Sequence, residues 1–163
     1  MKDTVLDQCS KSLKAYAQVA RAEWTADWPG QVVLTVNQIQ WTNQVERAIN
    51  KTGKGALKEF LDKSNAELQF IVMKVRGDLS YLQRCTLGAL VVIDVHARDV
   101  VEHLIANNVT DVSSFDWQAQ LRYYYSVNDH AINVRMINAQ IEYGNEVSSM
   151  RTQAAALPEA AAC

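Results

Sequence analysis

Apolar residues recur at three- and four-residue intervals over most of this 163-residue chain, the period of a helix that buries one face. Leu6, Cys9, Leu13, Tyr16 and Ala20 follow it and predict a first helix running to about Trp24. Asp27-Trp28-Pro29-Gly30 then breaks the period; Asp27 is a candidate cap for the next helix and Pro29 suits a first helical turn. From Gln31 to about Asn50, Leu34, Trp41, Val45, Ala48 and Ile49 form a stripe that Val33, Val36 and Ile39 widen. The β-branched run Val32 to Val36 imitates a strand, but the period continues through Ile49 and favours helix. After Lys51-Thr52-Gly53-Lys54-Gly55 a third helix gathers Leu57, Phe60, Leu61, Leu68, Ile71, Val72 and Val75 and stops near Arg76-Gly77. A fourth runs from about Arg84 to Asn107, with Leu87, Leu90, Val91, Val95, Val101, Leu104 and Ile105 facing inward. Gly88 within it costs about 1 kcal/mol against alanine, which predicts a neighbouring helix packed closely at that point.

The run from Phe115 to Tyr125, FDWQAQLRYYY, holds five of the chain's thirteen aromatic rings. Read as a fifth helix, it sets Trp117, Leu121 and Tyr124 on one face, flanked by Gln118 and Tyr125. Two readings stay open: a short amphipathic helix plugging the end of a core, or a face that docks a partner. Past Asn128 the period becomes two. Ile132, Val134 and Met136 alternate with Asn133 and Arg135, and Ile137, Ala139, Ile141 and Tyr143 continue after a slip of phase that reads as a bulge. This strand or hairpin has no sheet partner legible elsewhere in the chain, and an unpaired edge is an aggregation hazard. The alanine-rich stretch Val147 to Cys163 departs from this grammar and is expected to be disordered or a frayed helix. The expected fold is mainly α: an antiparallel bundle or stack of about five helices with a C-terminal β-strand or hairpin and a disordered tail.

Composition narrows the class. Hydrophobic residues make up 48% and charged residues 21%, the balance of an ordinary globular domain. A net charge of −2 provides no global field for nucleic acid or an anionic membrane, and no long basic stripe supplies a local one. The longest apolar run, Leu87 to Ile93, is too short to span a bilayer. The opening MKDTVLDQCSKS is too polar for a signal peptide. Cys9, Cys85 and Cys163 are odd in number and widely spaced, which points to reduced thiols in an intracellular compartment.

Three kinds of chemistry compete with plain structural roles. Thr52-Gly53-Lys54-Gly55 lacks the G-x-x-x-x-G-K-[ST] frame and joins two predicted helices, not a strand to a helix, so it makes a poor phosphate cradle. Asp94, His96, Asp99, Glu102 and His103 carry ligand-type side chains at helical spacing, so zinc or acid–base chemistry is conceivable there. Solvated pairs on an amphipathic helix explain the same residues better. Cys85, near a predicted helix start, has no histidine close in sequence and reads as packing. No catalytic residue, cofactor site or metal site is expected.

FDWQAQLRYYY resembles the F-x-W-x-x-QLRYYW signature near the C-terminal end of the linker region of dynein heavy chains. Three further runs match in order: WPGQVVLTVNQIQWT (Trp28 to Thr42) is similar to the family's WPGQV helix start, and RCTLGALVVIDVHARDVVEHL (Arg84 to Leu104) to its R-x-TLGALVVIDVHARDVV helix. INAQIEYGNE (Ile137 to Glu146) is similar to the segment leading into the first AAA+ module. The likeness covers about residues 16 to 146, and QIQWTNQVERAI has an axonemal character. It implies a helical linker-region fragment over 1–127, a strand-like connection toward an absent AAA+ module over 128–146, and a low-complexity tail over 147–163. It also implies part of the lever of a minus-end-directed microtubule motor, without an ATPase site of its own. The implied partners are the AAA+ ring of the same heavy chain and other dynein subunits, in a cytoskeletal setting such as a cilium or flagellum. Microtubule binding would come only through regions absent here, and neither nucleic acid nor membrane is implied. Trp28, Trp41, Phe115, Trp117, Gln120, Leu121, Arg122, Tyr123 and Tyr124 are the expected structural or interaction residues. The rival reading is an independent helical module that binds protein through the Trp117–Tyr125 face; a metal-dependent helical enzyme built on His96 and His103 is a remote third.

Overall fold

The computed structural model describes residues 2–51 and 55–144. The expected tail, 147–163, and Thr52, Gly53 and Lys54 of the glycine-lysine run lie outside the described residues. Helices α1 (Lys2–Tyr16), α2 (Arg21–Asp27), α3 (Gly30–Asn50), α4 (Ala56–Val75), α5 (Tyr81–Ala106) and α6 (Phe115–Gln118) precede strands β1 (Arg122–Ser126), β2 (Ala131–Met136) and β3 (Ala139–Glu142). The mainly helical reading holds, with the second helix of the sequence reading appearing as α3, the third as α4 and the fourth as α5.

The predicted first helix is in fact two. The amides of Gln18 and Val19 both close on the Ala15 carbonyl, and the chain turns before α2. The turn lets Trp24 fold back: its Nε1 donates to the Ser12 carbonyl at 3.2 Å and the Ser12 Oγ at 3.1 Å, and its ring meets Tyr16 edge-on. A continuous helix would hold Ser12 and Trp24 roughly 18 Å apart along its axis, at about 1.5 Å per residue. Asp27 does not cap α3; Pro29 occupies the cap position, with no side-chain bond. Helix α5 starts earlier than predicted because Ser80 and Gln83 form a reciprocal capping box.

Helix α3 packs against α1, α4, α5 and β1. One apolar cluster joins Leu6 and Cys9 of α1, Val33, Val36 and Ile39 of α3, Leu87 and Leu90 of α5, and Ile132 of β2. A second gathers Val45 and Ile49 of α3, Leu57 of α4, Val101 and Leu104 of α5, and Trp117. Burial raises the Cys9 thiol to about 11, so it stays protonated within the first cluster. Cys85 is exposed rather than packed, in the second turn of α5. Gly88 is not a close approach either: a methyl group there would meet nothing within 4 Å. The tight contact is at Gly30, where a Cβ would lie 2.5 Å from Thr86 Oγ1.

The largest departure is at the C-terminal end. Helix α6 stops at Gln118, and Arg122–Ser126 forms a strand, so Trp117, Leu121 and Tyr124 do not share a helical face. Consecutive tyrosines suit a pleated, half-buried surface better than a helix. That strand is the sheet partner the sequence did not reveal. β1, β2 and β3 form an antiparallel sheet in sequence order, with Tyr124 opposite Asn133 and Val134 opposite Ile141. The slip at Met136-Ile137 is a hairpin turn rather than a bulge; Ile137 takes a φ of 51°, a conformation that β-branched side chains avoid. Its amide donates to the Gln118 carbonyl at 2.8 Å, which ties the turn to α6.

A candidate functional joint between sheet and helices

The aromatic segment is built into the helices by one carboxylate. Glu46 of α3 accepts from Tyr124 Oη at 2.6 Å and from Trp117 Nε1 at 3.3 Å, both at the same oxygen. A helical and a strand residue thus converge on a single acceptor. Trp117 is fully buried, with its ring 5.4 Å from that of Trp41 and tilted by 54°. Arg122 is buried beside them; its Nη1 donates to Tyr124 Oη at 3.3 Å and its Nη2 to the Gln118 carbonyl at 3.5 Å. Burial first, then Glu46 as acceptor and charge, push the Tyr124 hydroxyl up to about 12. On the outer side, the Arg135 guanidinium lies 4.9 Å from the Tyr124 ring centre.

The residue before Tyr124 fixes the strand itself. The Tyr123 amide donates to Thr42 Oγ1 of α3 at 3.0 Å, and the Tyr123 ring meets Tyr143 edge-on at 5.7 Å. Burial, with the Tyr143 hydroxyl adding to it, raises the Tyr123 hydroxyl above its usual value. Tyr143 is in turn within 3.4 Å of Thr35 Oγ1, so both ends of the sheet are tied to α3.

The remaining expected residues divide by environment. Trp28 packs on the first apolar cluster, and Gln120 Nε2 donates to the Asp116 carbonyl at 3.0 Å within the α6 turn. Phe115 and Leu121 face outward, 70% and 47% exposed. Trp117 is buried, and Tyr123 and Tyr124 are half-buried with bonds to α3, so the aromatic run does not form one continuous exposed face and the binding-module reading is not favoured. Glu46 and Thr42 were missed. They sit one turn apart on α3 beside Trp41 and Val45, and polar residues inside an apolar stripe were the available signal.

The candidate ligand residues of α5 disperse. Asp94 turns inward to Arg21, whereas His96, Asp99, Glu102 and His103 are exposed. Among the described residues no three His, Cys, Asp or Glu side chains gather where one ion would be held, and no helix is long and apolar enough to cross a membrane.

No family model matches the chain. It is 46% identical over 134 residues to dynein axonemal heavy chain 3 of Homo sapiens, covering 82% of this chain and 3% of that protein. Against dynein axonemal heavy chain 12 of Mus musculus the identity is 43% over 146 residues, 90% of this chain and 5% of the relative. Dynein axonemal heavy chain 1 of Rattus norvegicus is 41% identical over 146 residues, 90% of this chain and 3% of the relative. The chain therefore spans a few per cent of the length of these relatives. Over that short span it is homologous to the axonemal dynein heavy chains, the family its motifs resemble.

Proposed function

We propose that this chain serves as part of the mechanical linker of an axonemal dynein heavy chain, a lever that carries force and has no ATPase site of its own. The supporting observation is the joint at Glu46. Two rings from separate elements share one carboxylate oxygen on α3, and β1, the strand that carries one of them, is bonded to the same helix through Thr42. A displacement of the sheet then moves α3, and α3 touches α1, α4 and α5. Buried aromatic rings resist relative motion because each fills a shape-specific socket of roughly 150–250 Å².

In this reading the helical part, 1–127, and the stretch 128–144 act as one body. The strand-like connection toward the AAA+ module is docked on α3 through Tyr123 and Tyr143. The partners are the AAA+ ring of the same heavy chain and other dynein subunits, within the axoneme of a cilium or flagellum. Nucleotide hydrolysis and microtubule engagement belong to other regions of such a protein.

Two measurements test this. The purified chain should release no phosphate from ATP above buffer background; hydrolysis abolished by a substitution within this chain overturns the absence of a site. In an axonemal heavy chain containing this segment, Trp117→Ala combined with Glu46→Ala should leave ATP turnover within about twofold and slow microtubule gliding severalfold. Gliding at wild-type speed would remove the lever role from this joint.

A further inference from the structure

Four helices meet at a polar cluster that the Glu46 joint does not use. Arg21, the first residue of α2, donates from Nη2 to both carboxylate oxygens of Asp94 on α5, each at 2.7 Å, and to Asn37 Oδ1 on α3 at 2.6 Å. Asn37 Nδ2 donates to Asp94 Oδ1 at 3.1 Å, which closes a ring of hydrogen bonds among three helices. Arg21 Nη1 extends it to Glu67 of α4 at 3.4 Å. The Arg21 and Asp94 side chains are only 12% and 11% exposed. Burial opposes the Arg21 charge, and Asp94, Tyr16 and Glu67 together outweigh it, so the guanidinium holds its proton more tightly than usual. The adjoining cavity, about 40 Å³, is far below the roughly 300 Å³ at which small-molecule sites begin, so the cluster is not built around an organic ligand.

Ion pairs withdrawn from water contribute little net stability over apolar residues of the same volume, because lost hydration cancels most of the attraction. Their directionality is a different matter. The apolar residues of α5 repeat along the helix, so a shift by one turn, about 5.4 Å, would present leucine and valine to similar sockets. The same shift would break every bond to Asp94. Helix α2 has seven residues, far fewer than a helix needs to persist alone, and its order comes from its contacts. Besides the ring, Trp24 reaches Ser12 and Lys74 Nζ donates to the Ala22 carbonyl.

We infer that the Arg21–Asn37–Asp94 ring is a register lock: it fixes the axial position of α5 against α3 and pins α2 across α4, selecting one arrangement rather than adding stability. The lock goes beyond the linker reading and does not depend on it. The test uses the full 163-residue chain, amide hydrogen exchange read by mass spectrometry, and thermal melting. Arg21→Lys keeps the charge without the planar fork. It should fold and melt within a few degrees of the wild type, with at least tenfold lower protection in α2 and in α5 around Asp94. The apolar triple variant Arg21→Met, Asn37→Leu, Asp94→Leu should melt no lower than the wild type and show the same local loss, with weakened near-ultraviolet circular dichroism. Wild-type protection in Arg21→Lys would mean that charge alone suffices and would overturn the lock. A triple variant that melts far lower, or does not fold, would overturn it too, since the ring would then act through stability. Neither failure bears on the linker reading, which stands or falls on motor coupling.

Discussion

Two aromatic residues from one motif are expected to behave oppositely when truncated. Trp117 is fully buried and holds Glu46, whereas Phe115, two residues earlier, is 70% exposed. Trp117→Ala should cost about 3–5 kcal/mol of unfolding free energy and Phe115→Ala less than about 0.5, both read from urea denaturation. Tyr124 makes a second residue-scale prediction. Its folded-state value of about 12 lies above the unfolded value near 10, so the stability from its neutral hydroxyl is fully present below pH 10. That contribution is lost as pH rises from 10 through 12. Phenolate absorbance should show one tyrosine ionising late, and Glu46→Gln should bring it earlier but not to the ordinary value, since burial remains. The motif located these residues; nothing local revealed that Trp117 and Tyr124 meet at Glu46. Separations of 71 and 78 residues leave no periodic trace.

Glycines separate what a helix requires of itself from what its neighbour requires. Gly88 lies in open space inside α5, so Gly88→Ala should stabilise the chain by about 0.5–1 kcal/mol through backbone entropy and helix propensity. Gly30 faces Thr86 across the α3–α5 contact, and Gly30→Ala should destabilise by about 1–3 kcal/mol. Adding Thr86→Ala should recover much of that loss, because the crowding atom is the Thr86 hydroxyl; thermal melts of the single and double variants check it. The long helices α3, α4 and α5 were legible because a wide apolar stripe over five or more turns has one interpretation. The shorter elements were not. The break between α1 and α2 falls in an alanine-rich stretch that helix tolerates, and it exists to return Trp24 to Ser12. The tyrosine run carries a helical spacing by coincidence, and pairing with β2 decides its conformation.

At the scale of the whole molecule, helices and sheet share one core. Ile132 of β2 is fully buried in the cluster that holds Val33, Val36 and Leu90. Ile132→Ala should cost about 2–5 kcal/mol, and far-ultraviolet circular dichroism and tryptophan fluorescence should still report one coincident transition. Separate transitions would show the sheet to be an appendage and would weaken its proposed place in the lever. Period and composition by themselves determined that the chain is helical over most of its length and extended at its end, since each element buries one face and must repeat accordingly. Motif order also determined the dynein kinship. Tertiary structure alone decided where the helical run is interrupted, that the tyrosines pair as a strand, and that Glu46 and Asp94 point inward. Those outcomes depend on which distant groups satisfy a buried hydrogen bond or charge, and a one-dimensional pattern records spacing along the chain but not partners across it.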